Sequence, residues 1–406
     1  MTGRTVVIGG GAAGIAAART LHDAGRNVLL IQAADRLGGR ARSVRLPTGH
    51  VVDHGCGWLH SAKRNPWTTI AEQAGFTVDR RSPNWQVQWN DLGFPPAEKR
   101  ASGEAYARFE EAAMVALDGP DRPLSDFVGE DDPWRPMIDA ISGYANGASL
   151  AEVSLHDWAA YENAATDDNW AVVEGYGTVV ANHAAGLTVR TGVTATRIDH
   201  LGRTIRIETS AGTIEADQVI VAVPTTVLAE DKLTFDPPLP DKQEAAAALP
   251  LGIADKVFLS VEGPLPWPAH AHLTGDPHKT CTASHRLSPF GWPIVESFFG
   301  GPCAEALEED GVAAAFAIDE LVALLGSDWQ RRFTPLDATR WRHVPLIGGS
   351  YSHARIGHAG ARRTLAEPVD ERLFFAGEAC SREDFSTAHG AYETGVTAAR
   401  AILGSR

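Results

Sequence analysis

A glycine-rich turn near the start of the chain is the feature that most constrains its fold. Residues 4–14 (RTVVIGGGAAG) place this turn between a short apolar strand and an alanine-rich helix. In such a unit Gly9 permits the tight turn, Gly11 lets the backbone approach a pyrophosphate, and Gly14 lets helix and strand pack closely. The helix N-terminus, with Ala13 beside Gly14, faces the phosphates. The spacing therefore predicts an α/β dinucleotide-binding unit rather than a plain structural turn.

The second strand supports this prediction and departs from it at one position. Residues 27–31 form an apolar run that ends at Gln32, where an acidic residue usually holds the ribose hydroxyls of a dinucleotide. Gln32 can hydrogen-bond a ribose without the charge-assisted strength of a carboxylate. Alternatively, it merely ends the strand. The next segment, residues 35–40, favours binding, because Gly39 frees the backbone and Arg40 can pair with a phosphate bidentately.

These segments resemble the flavin-containing amine oxidase family, which includes the monoamine and polyamine oxidases. Members of the family open with the same glycine turn, followed by a strand that ends in Glu and by the sequence D-R-x-G-G-R. Residues 35–40 match that sequence, whereas Gln32 stands in place of the Glu. Further matches follow in order along the chain, at residues 53–60, 175–177, 216–224, 235–240, 252–256, 340–341, 349–352, 375–378 and 389–392. The resemblance implies an α/β, two-domain FAD-binding fold of the Rossmann type.

The resemblance also implies a discontinuous cofactor domain with the substrate domain inserted in pieces, because cofactor motifs lie at both ends and in the middle of the chain. The FAD-binding domain is expected to consist of residues 1–60, 171–255 and 336–406. The substrate-binding domain is expected to consist of residues 61–170 and 256–335.

The cofactor expected from the resemblance is FAD, held without a covalent bond. Ser350 stands where the monoamine oxidases carry a flavin-linked cysteine, and a serine has no thiol to form the thioether. The residues expected to contact FAD are Gly9, Gly11, Ala13, Gly14, Gln32, Gly39, Arg40, Gly57, Trp58, Val193, Trp341, Gly377, Glu378 and Ala388.

Lys256, at the entrance to an apolar strand, is the sharpest catalytic candidate. In the family this lysine holds a water near flavin N5. The alternative for Lys256 is an ordinary surface lysine that flanks a strand. Tyr351 matches a tyrosine of the family's aromatic cage, whose second aromatic position is Thr387 here. His60 matches a histidine of polyamine oxidases, and Trp58 is expected to line the flavin. Core packing for Tyr351 and a structural histidine at position 60 remain alternatives.

The implied reaction is FAD-dependent oxidation of a small-molecule amine, with hydride transfer to flavin N5, imine hydrolysis, and reoxidation by oxygen with peroxide release. An L-amino-acid oxidase is an alternative, but it needs an arginine for the carboxylate, and residues 57–60 contain none. Another FAD oxidoreductase of the superfamily, or a flavin-binding protein without amine turnover, remains open. A histone demethylase would need chromatin-binding modules, for which we expect no space in 406 residues.

Charge and cysteine content restrict the partners further. A net charge of −15 disfavours nucleic acid and anionic membranes. The first strand begins so near Met1 that no signal peptide is expected, and no apolar run is long enough to span a bilayer. The four cysteines show no metal-ligand spacing and no disulfide-scaffold density, which predicts reduced thiols in a cytoplasmic protein without a metal site. They are Cys56, Cys281, Cys303 and Cys380. No oligomeric state is predicted.

Overall fold

The structure, a computed structural model, describes residues 3–81 and 83–404. Its strands are β1 (Arg4–Ile8), β2 (Asn27–Ile31), β3 (Ser43–Arg45), β4 (Val51–Asp53), β5 (Val78–Asp79), β6 (Ala171–Val172), β7 (Val189–Arg190), β8 (Ala195–Asp199), β9 (Ile205–Thr209), β10 (Gly212–Ala216), β11 (Gln218–Val221), β12 (Thr234–Asp236), β13 (Ala254–Val261), β14 (Ala271–Thr274), β15 (Ser284–Leu287), β16 (Ile294–Gly300), β17 (Phe333–Ala338) and β18 (Leu373–Phe375).

The α-helices are α1 (Ala12–Asp23), α2 (Pro66–Gln73), α3 (Pro96–Val115), α4 (Arg135–Asn146), α5 (Leu155–Ala164), α6 (Tyr176–Asn182), α7 (Thr225–Ala229), α8 (Pro240–Ala247), α9 (Gly301–Ala306), α10 (Val312–Leu325), α11 (Ala361–Ala366) and α12 (Ala388–Gly404). Within the described residues, none of these helices has both the length and the apolar character needed to cross a membrane. The same residues contain no group of three or more His, Cys, Asp or Glu side chains placed to hold a metal ion.

A five-stranded parallel sheet in the order β18-β11-β1-β2-β7 carries the glycine-rich turn. Its central strands are apolar and buried, as expected for a parallel sheet covered on both faces. Helix α12 packs so closely on α1 that a Cβ added at Gly395 would come within 2.1 Å of the Ala13 carbonyl oxygen. Parallel and antiparallel sheets occur together in the chain, which confirms the α/β class.

A second five-stranded sheet, in the order β14-β15-β16-β13-β17, is antiparallel and has two unlike faces. Side chains alternate along a strand, so Val257, Leu259 and Val295 share the face that packs on α10. Phe258 and Ile294 lie on the opposite face, against the hairpin formed by β3 and β4. This opposite face also carries Lys256 and therefore orients it.

A four-stranded sheet in the order β10-β9-β8-β12 completes the β-structure around a core shared with the parallel sheet. The prediction of strands within residues 204–223 is confirmed by β9, β10 and β11. The helix predicted over residues 307–325 is shorter than expected and begins at Val312. Gly311 adopts a left-handed conformation with φ of 80°, which separates this helix from α9.

The expectation of four reduced thiols is wrong for two cysteines. Cys281, just before β15, and Cys303, in α9, form a disulfide with an S–S distance of 2.09 Å, whereas Cys56 and Cys380 are free. The two partners lie 22 residues apart in sequence, and only the folding of α9 against the antiparallel sheet brings them together. The bond also removes the cysteine argument for a cytoplasmic location, because disulfides persist mainly in oxidising compartments.

Candidate functional site

The turn between β1 and α1 has the geometry of a phosphate cradle. Gly9 has φ of 109°, and a Cβ there would meet the Ala222 carbonyl oxygen at 2.3 Å. Gly14 touches the Gly9 carbonyl oxygen so closely that any side chain would clash. A Cβ on Gly11 would meet no described atom within 4 Å, and no described side chain caps the start of α1, where Ala13 lies. The open, uncapped helix N-terminus fits a bound pyrophosphate.

Gln32 is tied to this turn by its side chain. Its Oε1 accepts a hydrogen bond from the Gly10 N–H at 2.7 Å, and its backbone oxygen accepts one from Val193 N–H at 3.0 Å. Val193 itself is buried. Residue 32 therefore stands between the glycine turn and Val193, and two of the residues expected to contact FAD, Gln32 and Val193, are hydrogen-bonded to each other.

Arg40 is fixed by residues from the far end of the chain. Its Nη1 donates to Glu378 Oε1 at 2.8 Å and to the Ser350 carbonyl oxygen at 2.5 Å. Glu378 Oε2 accepts from Ser352 Oγ at 2.6 Å and from Ser386 N–H at 2.9 Å. Burial alone would raise the pKa of Glu378, but the neighbouring positive charges, chiefly that of Arg40, outweigh it and lower the pKa. An ionised Glu378 thus orients the guanidinium of Arg40.

The remaining glycine positions and the start of α12 border the same region. A Cβ at Gly39 would lie 3.2 Å from Gly11 Cα, and Gly377, with φ of 149°, donates from its N–H to Thr394 Oγ1. Thr387 Oγ1 accepts from the Gly390 N–H at 3.0 Å and donates to a carbonyl oxygen, so its hydroxyl caps α12. Ala388 begins α12.

Lys256 is buried, with 7% of its surface exposed, and is not a surface residue flanking a strand. Its Nζ donates to the Asp53 carbonyl oxygen at 2.9 Å and forms an ion pair with Glu296 Oε1 at 2.8 Å. The same Nζ lies 3.2 Å from the point where a Cβ on Gly57 would stand. The lysine therefore reaches the 53–60 segment across the space between the hairpin and the antiparallel sheet.

Trp58 and His60 form an aromatic group with Trp85. The Trp58 ring lies edge-to-face with Trp85 at 5.4 Å, and the guanidinium of Arg286 lies 4.3 Å from the Trp58 ring centroid. His60 Nδ1 hydrogen-bonds Asn169 Oδ1 at 2.6 Å. Burial lowers the pKa of His60 to about 4, so the ring is neutral at pH 7. The bond to Asn169 places the proton on Nδ1 and leaves Nε2 as an acceptor.

Tyr351 and Trp341 are both held by backbone carbonyl groups. The Tyr351 hydroxyl donates to the Tyr144 carbonyl oxygen in α4, and burial raises the pKa of this phenol. Trp341 Nε1 donates to the His54 carbonyl oxygen, within the 53–60 segment, at 3.1 Å. The two rings are therefore fixed in place rather than free to rotate.

Sequence reasoning missed two residues of this region, Glu296 and Arg286. Both occupy strands of the antiparallel sheet, and they lie 3.5 Å apart between Oε2 and Nη1. The available signal was a single charged residue inside an apolar strand, as in Ile294–Gly300, IVESFFG. Buried charges are rarely retained without a partner. Lys256 on the neighbouring strand is that partner.

Comparison with known proteins adds an independent finding to this geometry. Residues 12–403 match the sequence model of the flavin-containing amine oxidoreductases. The chain belongs to this family. The oxidase is 30% identical to polyamine oxidase 2 of Arabidopsis thaliana, over 97% of this chain and 86% of that protein. It is 29% identical to polyamine oxidase 4 of Oryza sativa subsp. japonica, over 97% of this chain and 87% of that protein.

A third relative has a different name. Lysine-specific histone demethylase 1B of Mus musculus is 28% identical over 98% of this chain, but only 52% of that protein is covered. Membership of the family establishes that the oxidase uses FAD and oxidises an amine. The glycine cradle at the start of α1 fits that cofactor.

Proposed function

We propose that this oxidase acts on a small-molecule amine and passes the electrons to molecular oxygen. The observation that carries the proposal is the buried, charged Lys256 between Asp53 and Glu296, beside Gly57. Bound FAD would supply the hydride acceptor. Lys256 would supply a fixed positive charge in a site from which water is largely excluded, where such a charge acts strongly. The relatives named polyamine oxidases support an amine of low molecular weight.

Three side chains would shape the amine pocket. Trp58 stacks against Arg286, the Tyr351 hydroxyl is anchored to a backbone carbonyl, and both rings would present aromatic walls. His60 is neutral, and its Nε2 can accept a hydrogen bond from an amine N–H. Thr387 offers neither an aromatic ring nor a free hydroxyl proton, since it caps α12. We therefore propose a pocket with one tyrosine wall rather than a two-tyrosine cage.

We also propose noncovalent FAD and the two-domain division of the chain. Ser350 Oγ donates to the Gly252 carbonyl oxygen at 2.9 Å and has no thiol to offer. The parallel sheet supports a cofactor domain of residues 1–60, 171–255 and 336–406, because each of these segments contributes strands to it. Residues 61–170 and 256–335 would form the substrate domain.

The position of Arg286 beside Trp58 makes L-amino-acid oxidation a second candidate function. Arg286 stacks on Trp58 and could in principle meet a carboxylate. Its Nε and Nη2, however, point at His270 Nδ1, at 3.2 and 2.9 Å, and its Nη1 faces Glu296. The guanidinium is therefore already engaged on two sides, which favours an amine without an α-carboxylate.

An anaerobic reduction screen tests the proposal. The purified, FAD-loaded oxidase would be mixed with monoamines, diamines, polyamines, cyclic amines and L-amino acids, and bleaching of the flavin absorbance would be followed. We expect amines lacking an α-carboxylate to reduce the flavin faster than any amino acid. Faster reduction by an amino acid would favour the second candidate, and no reduction by any compound would leave a flavin-binding protein.

A further inference from the structure

We propose that Glu296 is a positioning residue that holds Lys256 and Arg286 on either side of it, and so links the lysine beside Gly57 to the Trp58 wall of the amine pocket. The inference rests on the proposed role of Lys256 and extends it to Glu296, which would act through Lys256 and Arg286. It makes Glu296 the centre of a buried chain of three charged side chains.

The register of the antiparallel sheet places the three residues on one face. Glu296 in β16 lies directly opposite Arg286 in β15 and directly opposite Phe258 in β13. Lys256 is two residues from Phe258, so it lies diagonally across from Glu296 on the same face. Cross-strand neighbours at these positions are close enough for side chains to interact. The alternation of the strands therefore brings all three groups together without any loop.

The charges in this cluster depend on one another. Each oxygen of Glu296 faces a different cation, with Oε1 at 2.8 Å from Lys256 Nζ and Oε2 at 3.5 Å from Arg286 Nη1. Burial would raise the pKa of Glu296, but the two cations and their hydrogen bonds outweigh it and lower the pKa. Removing one partner of a buried ion pair leaves the other charge uncompensated. Lys256 and Arg286 therefore both rely on the same carboxylate.

Arg286 carries the link from Glu296 to the pocket wall. Its guanidinium lies 4.3 Å from the Trp58 ring centroid and 5.1 Å from that of Phe290. Its contact with His270 Nδ1 requires that nitrogen to be unprotonated, and burial, with the nearby charge of Arg286, lowers the pKa of His270 to about 4. His270 Nε2 in turn meets Asp79 Oδ2 at 2.9 Å. The guanidinium is thus oriented from several sides.

Acylation of Lys256 in the full-length, FAD-loaded protein tests the inference without relying on turnover. An amine-acylating reagent must reach the Lys256 amine, and the ion pair with Glu296 holds that amine in its buried position. We expect Lys256 in Glu296→Gln to be acylated at least about tenfold faster than in wild type, as measured by peptide mass spectrometry, because a lysine without its counter-charge no longer stays in that position. Lys63 and Lys279, which are exposed, serve as internal references.

Two further variants separate positioning from general damage to the fold. Glu296→Asp keeps the charge but moves it away from Lys256, so Lys256 in this variant should be acylated at a rate between those in wild type and Glu296→Gln. If Glu296→Gln does not fold, Glu296→Asp replaces it in the test. Glu320→Gln is the matched control, because Glu320 has the same 11% side-chain exposure but lies on α10, beyond the other face of the sheet. The control should leave Lys256 acylation unchanged.

The kinetic half-reactions connect the test to the proposed function. Glu296→Gln should slow reoxidation of the flavin by oxygen by at least about fivefold, with a smaller effect on anaerobic reduction by the amine. Unchanged acylation of Lys256 in both Glu296 variants would overturn the inference. Failure of every amine to bleach the wild-type flavin would instead overturn the proposed function, and the acylation result would still be readable.

Discussion

At the scale of single residues, the site is governed by how a few buried polar groups are satisfied. Lys256 has a carbonyl oxygen and a carboxylate as partners, and both oxygens of Glu378 accept hydrogen bonds from donors fixed by the backbone or by other side chains. Satisfied buried groups hold one geometry, whereas an unpaired one would shift or lose its charge. Single substitutions at such positions are therefore informative.

Lys256→Met keeps the approximate length of the side chain and removes its charge. A positive charge in a water-poor site stabilises the negative charge that develops when oxygen is reduced. We expect reoxidation to slow by at least about tenfold, equivalent to 1.4 kcal/mol of barrier, and anaerobic reduction by the amine to change much less. Stopped-flow measurement of both half-reactions decides the matter. Unaltered reoxidation would show that oxygen does not react beside this lysine.

Gln32→Glu tests the position where the sequence departs from the family. Its Oε1 already accepts from the Gly10 N–H, and a carboxylate there would make the bond charge-assisted and meet the ribose more strongly. We expect FAD to bind tighter by about 1 kcal/mol, or roughly fivefold in Kd. Titration of the apoprotein with FAD, followed by flavin fluorescence, measures this. Gln32→Leu is the control and should weaken binding; equal affinity for Glu and Gln would place the ribose elsewhere.

At the scale of secondary-structure elements, the disulfide joins α9 to the segment that enters β15. Cys281 is followed by Thr282, whose carbonyl oxygen accepts the Tyr144 hydroxyl at 2.8 Å. Tyr144 lies in α4 and in turn accepts from Tyr351 through its own carbonyl oxygen. The disulfide therefore stabilises the antiparallel sheet near α4, the helix whose Tyr144 carbonyl oxygen holds the hydroxyl of Tyr351.

Loss of this bond should lower stability measurably. A cross-link closing a loop of this length stabilises a protein by roughly 3 kcal/mol. We expect urea unfolding of Cys303→Ser to show a decrease of that size in the free energy of unfolding. Dithiothreitol should destabilise wild type and leave the variant unchanged. Thiol titration in denaturant without reductant should find two reactive cysteines, Cys56 and Cys380; four would contradict the pairing.

At the scale of the whole molecule, segments from the two ends of the chain meet at residues that we propose for FAD binding. Arg40 contacts both Ser350 and Glu378, although more than 300 residues separate it from each of them. Unfolding would separate these segments, so FAD held without a covalent bond, as we propose, should leave the unfolded chain.

Acid precipitation tests this property directly. Unfolding should free all of the FAD into the supernatant, because Ser350 cannot form a thioether. The absorbance of supernatant and pellet at the flavin maximum gives the partition. A protein that carries a flavin-linked cysteine serves as the control and should retain its flavin in the pellet, and flavin retained by this oxidase would contradict noncovalent binding.

The sequence predicted the features that are local and missed those that depend on neighbouring strands. The glycine turn and the strands around it follow from residues adjacent in the chain, and the α/β class is confirmed. The roles of Lys256 and Tyr351 stay predictions. The Glu296–Arg286 pair and the disulfide at Cys281 could not be found, because each joins residues whose proximity is set by the antiparallel register or by packing of α9.

Because the two faces of the antiparallel sheet differ in polarity, the number of residues in a strand determines which side chains enter the apolar core and which face Lys256. In β16, Val295 belongs to the apolar core beneath α10, while Glu296 serves the opposite face. Deleting or inserting one residue within β16 would exchange these roles, burying a carboxylate among aliphatic side chains and leaving Lys256 without its counter-charge. Variation in length is therefore expected in the turns that connect these strands, and selection should hold the spacing inside β16 fixed.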